Sequence, residues 1–181
     1  MTIFFPLQIL DFLNNKGITK IEECDKGFIS NGRSSLPFEL LPKNTIKHKN
    51  IPFYIQFNKD NFDNIELNGQ SIKFPNVSAK KIHFLGVSSN GSFREKIKFK
   101  LKGEIQSEGY LSFSDFLNEE PAFNDEKVLV FNYIHTLSGV YKSIKANIWY
   151  NSTNFEEVMQ FDEIVFPDNL SMHIFSITTE L

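Results

Sequence analysis

The sequence predicts an all-β fold, an antiparallel two-sheet sandwich that is jelly-roll-like, built as one domain over residues 1–181. Three observations carry that reading. Apolar and polar residues alternate with a two-residue period along much of the chain. The apolar runs are short and are separated by Asn-Gly, Pro and Ser clusters, which end strands and make turns. The aromatic content of 14% is nearly all Phe, 20 residues of it, and Phe and Ile suit a pleated, half-buried surface.

The elements follow in order. Residues 7–14 fit either a short helix or an opening strand. Phe53, Ile55 and Phe57 alternate with Tyr54 and Gln56, and Ile65-Glu66-Leu67 continues the period. Asn68-Gly69 then accepts the positive φ angles of a tight hairpin turn, so Ile72-Lys73-Phe74 is expected to return beside it and to end at Pro75. Residues 81–87 read as a central strand, closed by a Ser-rich loop at 88–92. Over residues 96–105 the alternation is clearest. Ile97, Phe99 and Leu101 face one way, while Lys96, Lys98, Lys100 and Lys102 face the other. A slip of one residue would bury the ammonium groups, so the register is strongly set. Residues 113–117 fit one helical turn, and residues 128–134 read as an interior strand. Ile144, Ala146, Ile148 and Tyr150 share a face opposite Lys145, Asn147 and Trp149. Residues 161–166 form a further strand stopped by Pro167-Asp168-Asn169, and residues 172–179 close the domain. No linker, repeat or low-complexity tract divides it.

Composition excludes several classes of function. A formal net charge of −3 argues against a general nucleic-acid binder, which needs concentrated positive charge to displace counterions from phosphates. The opening residues lack a basic segment and are interrupted by Pro6, which fits neither a signal peptide nor a membrane span. The single cysteine, Cys24, cannot form an intrachain disulfide. A cytoplasmic protein with no membrane partner is the simplest reading. Asn-X-Ser/Thr matches at Asn76, Asn90, Asn151 and Asn169 would matter only in a glycosylating pathway.

Motifs for catalysis, metals or cofactors do not stand out. His48, His83, His135 and His173 lack the spacing of a metal-binding strand pair, and His83 and His173 read as packing residues inside strands. No phosphate loop, nucleophile elbow or dinucleotide fingerprint is present, so no cofactor is expected. Glu22-Glu23, Glu119-Glu120 and Glu156-Glu157 read as solvated loop charge, and the lysine row as the solvent face of a strand that discourages edge-to-edge pairing.

Trp149 is the exception to the pattern. Counting by twos places it in a polar row with Asn147 and Lys145, where a flat ring could stack on a sugar while amides bond its hydroxyls. Asn31, Arg33 and His135 are loop candidates for the same site. The other readings of Trp149 are a dimer contact and a ring covered by another element.

A resemblance enters with three stretches. Residues 12–18, Asn14-Asn15-Lys16-Gly17-Ile18 among them, lead to Gly27-Phe28-Ile29-Ser30-Asn31-Gly32 and on to Leu36-Pro37 and Leu40-Leu41-Pro42. Ile51-Pro52-Phe53 is followed by Asp63-Asn64-Ile65 and Gly69-Gln70-Ser71-Ile72. Ile164-Val165-Phe166-Pro167 is followed by Met172-His173-Ile174-Phe175-Ser176-Ile177. Together these resemble a β-sandwich module appended to bacterial glycoside hydrolases, of the α-fucosidase type, here without a catalytic partner domain. The loop at residues 30–35 lacks that family's glycine run and tyrosine. The resemblance implies a sandwich and a non-catalytic, carbohydrate-associated role. Three functions are therefore expected in turn: a module binding a sugar or sugar-bearing molecule, a structural protein that dimerises or scaffolds a partner enzyme, and a small jelly-roll enzyme acting on a sugar intermediate. The first needs Trp149 exposed in a groove, the second needs it buried across a subunit contact, and the third needs convergent titratable groups in a pocket.

Overall fold

The computed structural model describes residues 2–43 and 45–181. Its strands are β1 (Phe4–Pro6), β2 (Ile18–Thr19), β3 (Leu36–Pro37), β4 (Ile46–His48), β5 (Ile51–Phe53), β6 (Ile65–Asn68) and β7 (Ser71–Ser88). They continue as β8 (Phe93–Leu101), β9 (Glu104–Phe113), β10 (Glu126–Phe131), β11 (Ile134–Thr136), β12 (Gly139–Tyr141), β13 (Ala146–Val165) and β14 (Asp168–Glu180). Among the described residues, helical structure is confined to 3-10 turns at Leu10–Phe12, Ile21–Lys26 and Phe38–Leu40. An eight-stranded antiparallel sheet runs β1-β14-β7-β13-β8-β9, with β10 also paired to β13 and β6 to β14.

Two long strands let that sheet close over itself. β7 and β13 pair along most of their length, but the register breaks between Asn154 and Met159 and again between Phe161 and Glu163. Such bulges bend and twist a strand. At the second break Pro75 falls between the pairs Lys73↔Glu163 and Val77↔Phe161. A proline cannot donate to a ladder, and here it occupies the bulge that tolerates it, so the strand expected to end at Pro75 continues through it. At the first break Phe155 turns inward to meet Phe99 edge-on at 5.0 Å. The far end of the sheet returns over the near one. Phe113 of β9 lies against Gly86 of β7, where an added Cβ would sit 2.3 Å from the ring.

The core occupies the space so enclosed. Ile82, Phe84, Leu85 and Val87 of β7 are fully buried, as are Ile97, Phe99, Phe161, Ile174 and Ile177. β7 is hydrogen-bonded along both edges, to β13 and β14, which bears out the central strand read at residues 81–87.

Elsewhere long-range pairing overrides the local pattern. Gly69 does take a positive φ of 79°, but β6 pairs with β14 and β7 pairs with β13 and β14, so the turn does not close a hairpin. The alternation over residues 96–105 is cut by a turn at Lys102-Gly103, with β8 and β9 on either side. The alternation begun at Phe53 leaves the sheet there, since β5 ends at that residue. β10 pairs only with β13 and leaves Val130 56% exposed, so it is an edge strand and not an interior one.

A buried polar network holds the first thirty residues to the sheet. Asp63, wholly buried, accepts the backbone N–H of Gly17 at 3.0 Å and of Ile18 at 2.8 Å. The Asn64 amide donates to Asp63 Oδ1 at 2.8 Å and to Asn15 Oδ1 at 3.0 Å. Its oxygen faces His173 Nδ1 at 3.0 Å, and His173 Nε2 reaches the Ile29 carbonyl at 2.9 Å. Burial outweighs these hydrogen bonds, so that Asp63 is raised to about 7 and His173 lowered to about 4. Asp63 is met only by donors, and both ring nitrogens of His173 lie within hydrogen-bond distance of oxygens, so every polar group of the network is bonded. Truncating Asp63→Ala strands two backbone donors and an amide, and should cost at least about 3 kcal/mol in urea unfolding.

Candidate functional site

The sheet register assembles a polar row across four strands. Glu126 of β10 stands opposite Tyr150 of β13. Tyr150 is a diagonal neighbour of His83, because His83 pairs with Ser152, and Glu180 of β14 is diagonal to His83, because His83 pairs with Thr178. The β4–β5 hairpin closes the row from above. Its two-residue turn, Lys49-Asn50, has positive φ at both positions, 51° and 68°, as such turns require. That turn presents His48 to Tyr150 with ring centroids 4.7 Å apart.

The side chains form two hydrogen-bonded groups that meet where the His48 ring lies against Tyr150. The Glu180 carboxylate accepts from His83 Nε2–H at 2.8 Å, and the Tyr150 hydroxyl donates to Nδ1 at 2.9 Å. Burial, the largest influence, pulls His83 down to about 4; Glu180 opposes it and the Lys81 ammonium adds to it. A neutral ring with its proton on Nε2 is what those partners accommodate at neutral pH. Burial also raises the Tyr150 phenol. Glu126 accepts from Lys49 at 2.6 Å and faces His48 Nε2 at 3.0 Å, and Lys49 holds its carboxyl below the usual range.

His83, Tyr150, Glu180, Glu126 and Lys49 wall a cavity of about 770 Å³ that also takes in Phe4, Arg94, Tyr110, Phe123 and Asn124. Asn151, Ser112, Ser152 and Thr153 contribute amide and hydroxyl groups to it. The Arg94 guanidinium lies over the Tyr110 ring, 4.4 Å from its centroid. The cleft can therefore bond a polar ligand, stack against it and shift a proton along Tyr150–His83–Glu180. Among the described residues no three or more His, Cys, Asp or Glu side chains are grouped to hold a metal.

A family model describing the AziU2-like beta-sandwich domain matches residues 6–180. The chain belongs to that family. The match agrees with the sandwich read from the sequence, but it carries no link to glycoside hydrolases. No curated protein shows significant similarity to the chain. Among the described residues of this family member, no helix is long and apolar enough to cross a membrane.

In this AziU2-like sandwich the residues picked from sequence do not gather at the cleft. Trp149 is wholly buried, which overturns the expectation of an exposed platform. Its face of β13 is covered by residues 114–118: the indole N–H donates to the Asp115 carbonyl at 3.1 Å, and the Asn147 N–H to the Phe116 carbonyl at 2.7 Å. The Asn147 amide is buried too and donates to the Asn118 carbonyl at 2.7 Å. Period-two counting tells which residues share a face, not whether a second layer covers that face. Lys145 is exposed just ahead of β13. Asn31 and Arg33 sit in an exposed turn, where Arg33 donates to the Asp25 carbonyl at 2.9 Å. His135 is wholly buried, its Nδ1 2.8 Å from Thr19 Oγ1, and is not a loop contact. The sequence missed the true convergence of His83, Tyr150, Glu180, Glu126 and His48, because each reads locally as a strand or turn residue.

Two outcomes follow for solution measurements. Trp149 emission should be blue-shifted and poorly quenched by acrylamide, and Trp149→Ala should lose about 3 kcal/mol or more of stability in urea. A histidine whose folded pKa is about 4 against an ordinary 6.5 stabilises the fold fully above pH 6.5, and that contribution is lost as pH falls towards 4. The stability difference between the native protein and His83→Gln should accordingly narrow between pH 7 and pH 4.5, read by urea unfolding at each pH.

Proposed function

We propose that the domain is a non-catalytic module that binds a carbohydrate or sugar-bearing molecule in the cleft walled by Tyr150 and Tyr110. The observation that carries the reading is the lining itself: a concave site of about 770 Å³ in which aromatic rings adjoin amides and hydroxyls. A sugar presents an apolar ring face and a rim of hydroxyls, and needs both kinds of contact at once. The resemblance of residues 12–179 to accessory modules of bacterial glycoside hydrolases supports the same ligand class. A lone, buried Cys24 supports a cytoplasmic setting.

A second reading is favoured by one specific feature. The Tyr150–His83–Glu180 chain places a phenol, an imidazole and a carboxylate in the order used for proton transfer, which supports a small enzyme acting on a sugar intermediate. Tests of the two readings share a starting point. Calorimetric titration with monosaccharides, oligosaccharides and nucleotide sugars should show saturable binding by at least one of them. Tyr110→Ala and Asn151→Ala should each weaken it about tenfold. Absence of saturable heat across the panel, with the protein folded, overturns the binding reading. Chemical conversion of the bound sugar that is lost in Tyr150→Phe would replace it with the enzymatic one.

A further inference from the structure

We infer that the ligand of this cleft carries an oxyanion, as a sugar phosphate does, and that Arg94 and Lys81 receive it; this rests on the sugar-binding reading above. The charges of the cleft are unequally committed. Glu126 is paired with Lys49 at 2.6 Å, and Glu180, which accepts from a neutral His83 at 2.8 Å, keeps its charge opposite Lys81. Arg94 and Lys81 line the same cavity, and neither makes an ion pair among the described residues. Three cations, Lys49, Lys81 and Arg94, thus face two carboxylates, Glu126 and Glu180, and the cleft keeps a surplus of positive charge although the chain as a whole is acidic, at −3.

Arg94 is also held in place. Arg94 on β8 is opposite Ser112 and rests on the Tyr110 ring, so its face is occupied while its N–H edge makes no hydrogen bond among the described residues. A guanidinium fixed by its face and free at its edge presents the paired donors that suit two oxygens of a phosphate. Lys81 projects from β7 between Asn154 and Glu180, and its ammonium lies near enough to His83 to disfavour protonation of that ring. An anion beside Lys81 would meet a point charge there and the planar Arg94 fork across the cleft. The sugar would then lie along Tyr110 and the Asn151 amide, which is already oriented by a 3.0 Å hydrogen bond to Ser112 Oγ.

The test uses the full chain in phosphate-free buffer, titrated with inorganic phosphate, glucose and glucose 1-phosphate. Calorimetry and 15N-resolved NMR, including the arginine Nε–Hε signals, provide the readout. Inorganic phosphate should shift the Arg94 side-chain signal saturably, and the shift should weaken as salt is raised. Glucose 1-phosphate should bind at least about tenfold tighter than glucose, and Arg94→Gln and Lys81→Gln should each collapse that ratio towards one. Lys100→Gln, on the solvent face of β8 away from the cavity, should leave the ratio intact. Glucose binding as tightly as its phosphate ester overturns the anion inference and leaves the sugar reading standing. Inorganic phosphate binding at Arg94 with no gain from the attached sugar keeps the anion site and overturns the sugar reading. No shift at Arg94 with any probe overturns the inference.

Discussion

The enclosure of β7 is the constraint on which the rest of the structure depends. The strand is hydrogen-bonded along both edges and, over residues 82–88, buried on both faces. A titratable ring in that position cannot turn to water, and leaving it without partners on neighbouring strands would be costly. His83 is the only titratable side chain within that stretch, and its two ring nitrogens are met by Tyr150 from one flanking strand and Glu180 from the other. The candidate site is in this sense a consequence of burial: satisfying one histidine draws a phenol and a carboxylate to the same wall, and the groups that line the adjoining cavity surround them.

The same rule operates at the other end of the sheet. His173 and Asp63 are both enclosed, and Asn64 stands between them with its amide nitrogen towards acceptors and its oxygen towards the imidazole. Residues 15–18 and 29, which contribute little regular structure, are anchored through these groups. A loop-rich opening segment is thereby tied to the most buried strands by directional bonds, where apolar packing alone would leave its register loose.

Some of the site was within reach of the sequence and some was not. His83 and His173 were readable as bonded histidines inside strands, because an imidazole in an apolar run has few alternatives. Tyr150 was assigned correctly to the opposite face from Trp149. What the alternation could not supply was the identity of the covered face, since residues 114–118 are remote in sequence from Trp149 and fold over it only in three dimensions. Nor could it supply the partner of Glu180, which lies 97 residues from His83 along the chain.

The fold class was determined by the sequence alone, because the two-residue period, the turn dipeptides and the Phe-rich composition are local properties that survive without any knowledge of pairing. Pairing itself belonged to the tertiary structure. Asn68-Gly69 makes the turn its residues specify, yet β14 lies beside β6 and the expected hairpin does not close. Pro75 lies within a strand because it sits in a bulge of that strand, where its missing N–H is without consequence. Long-range ladders and layers decide which local preferences are used, and the cleft exists only where strands far apart in sequence are brought side by side.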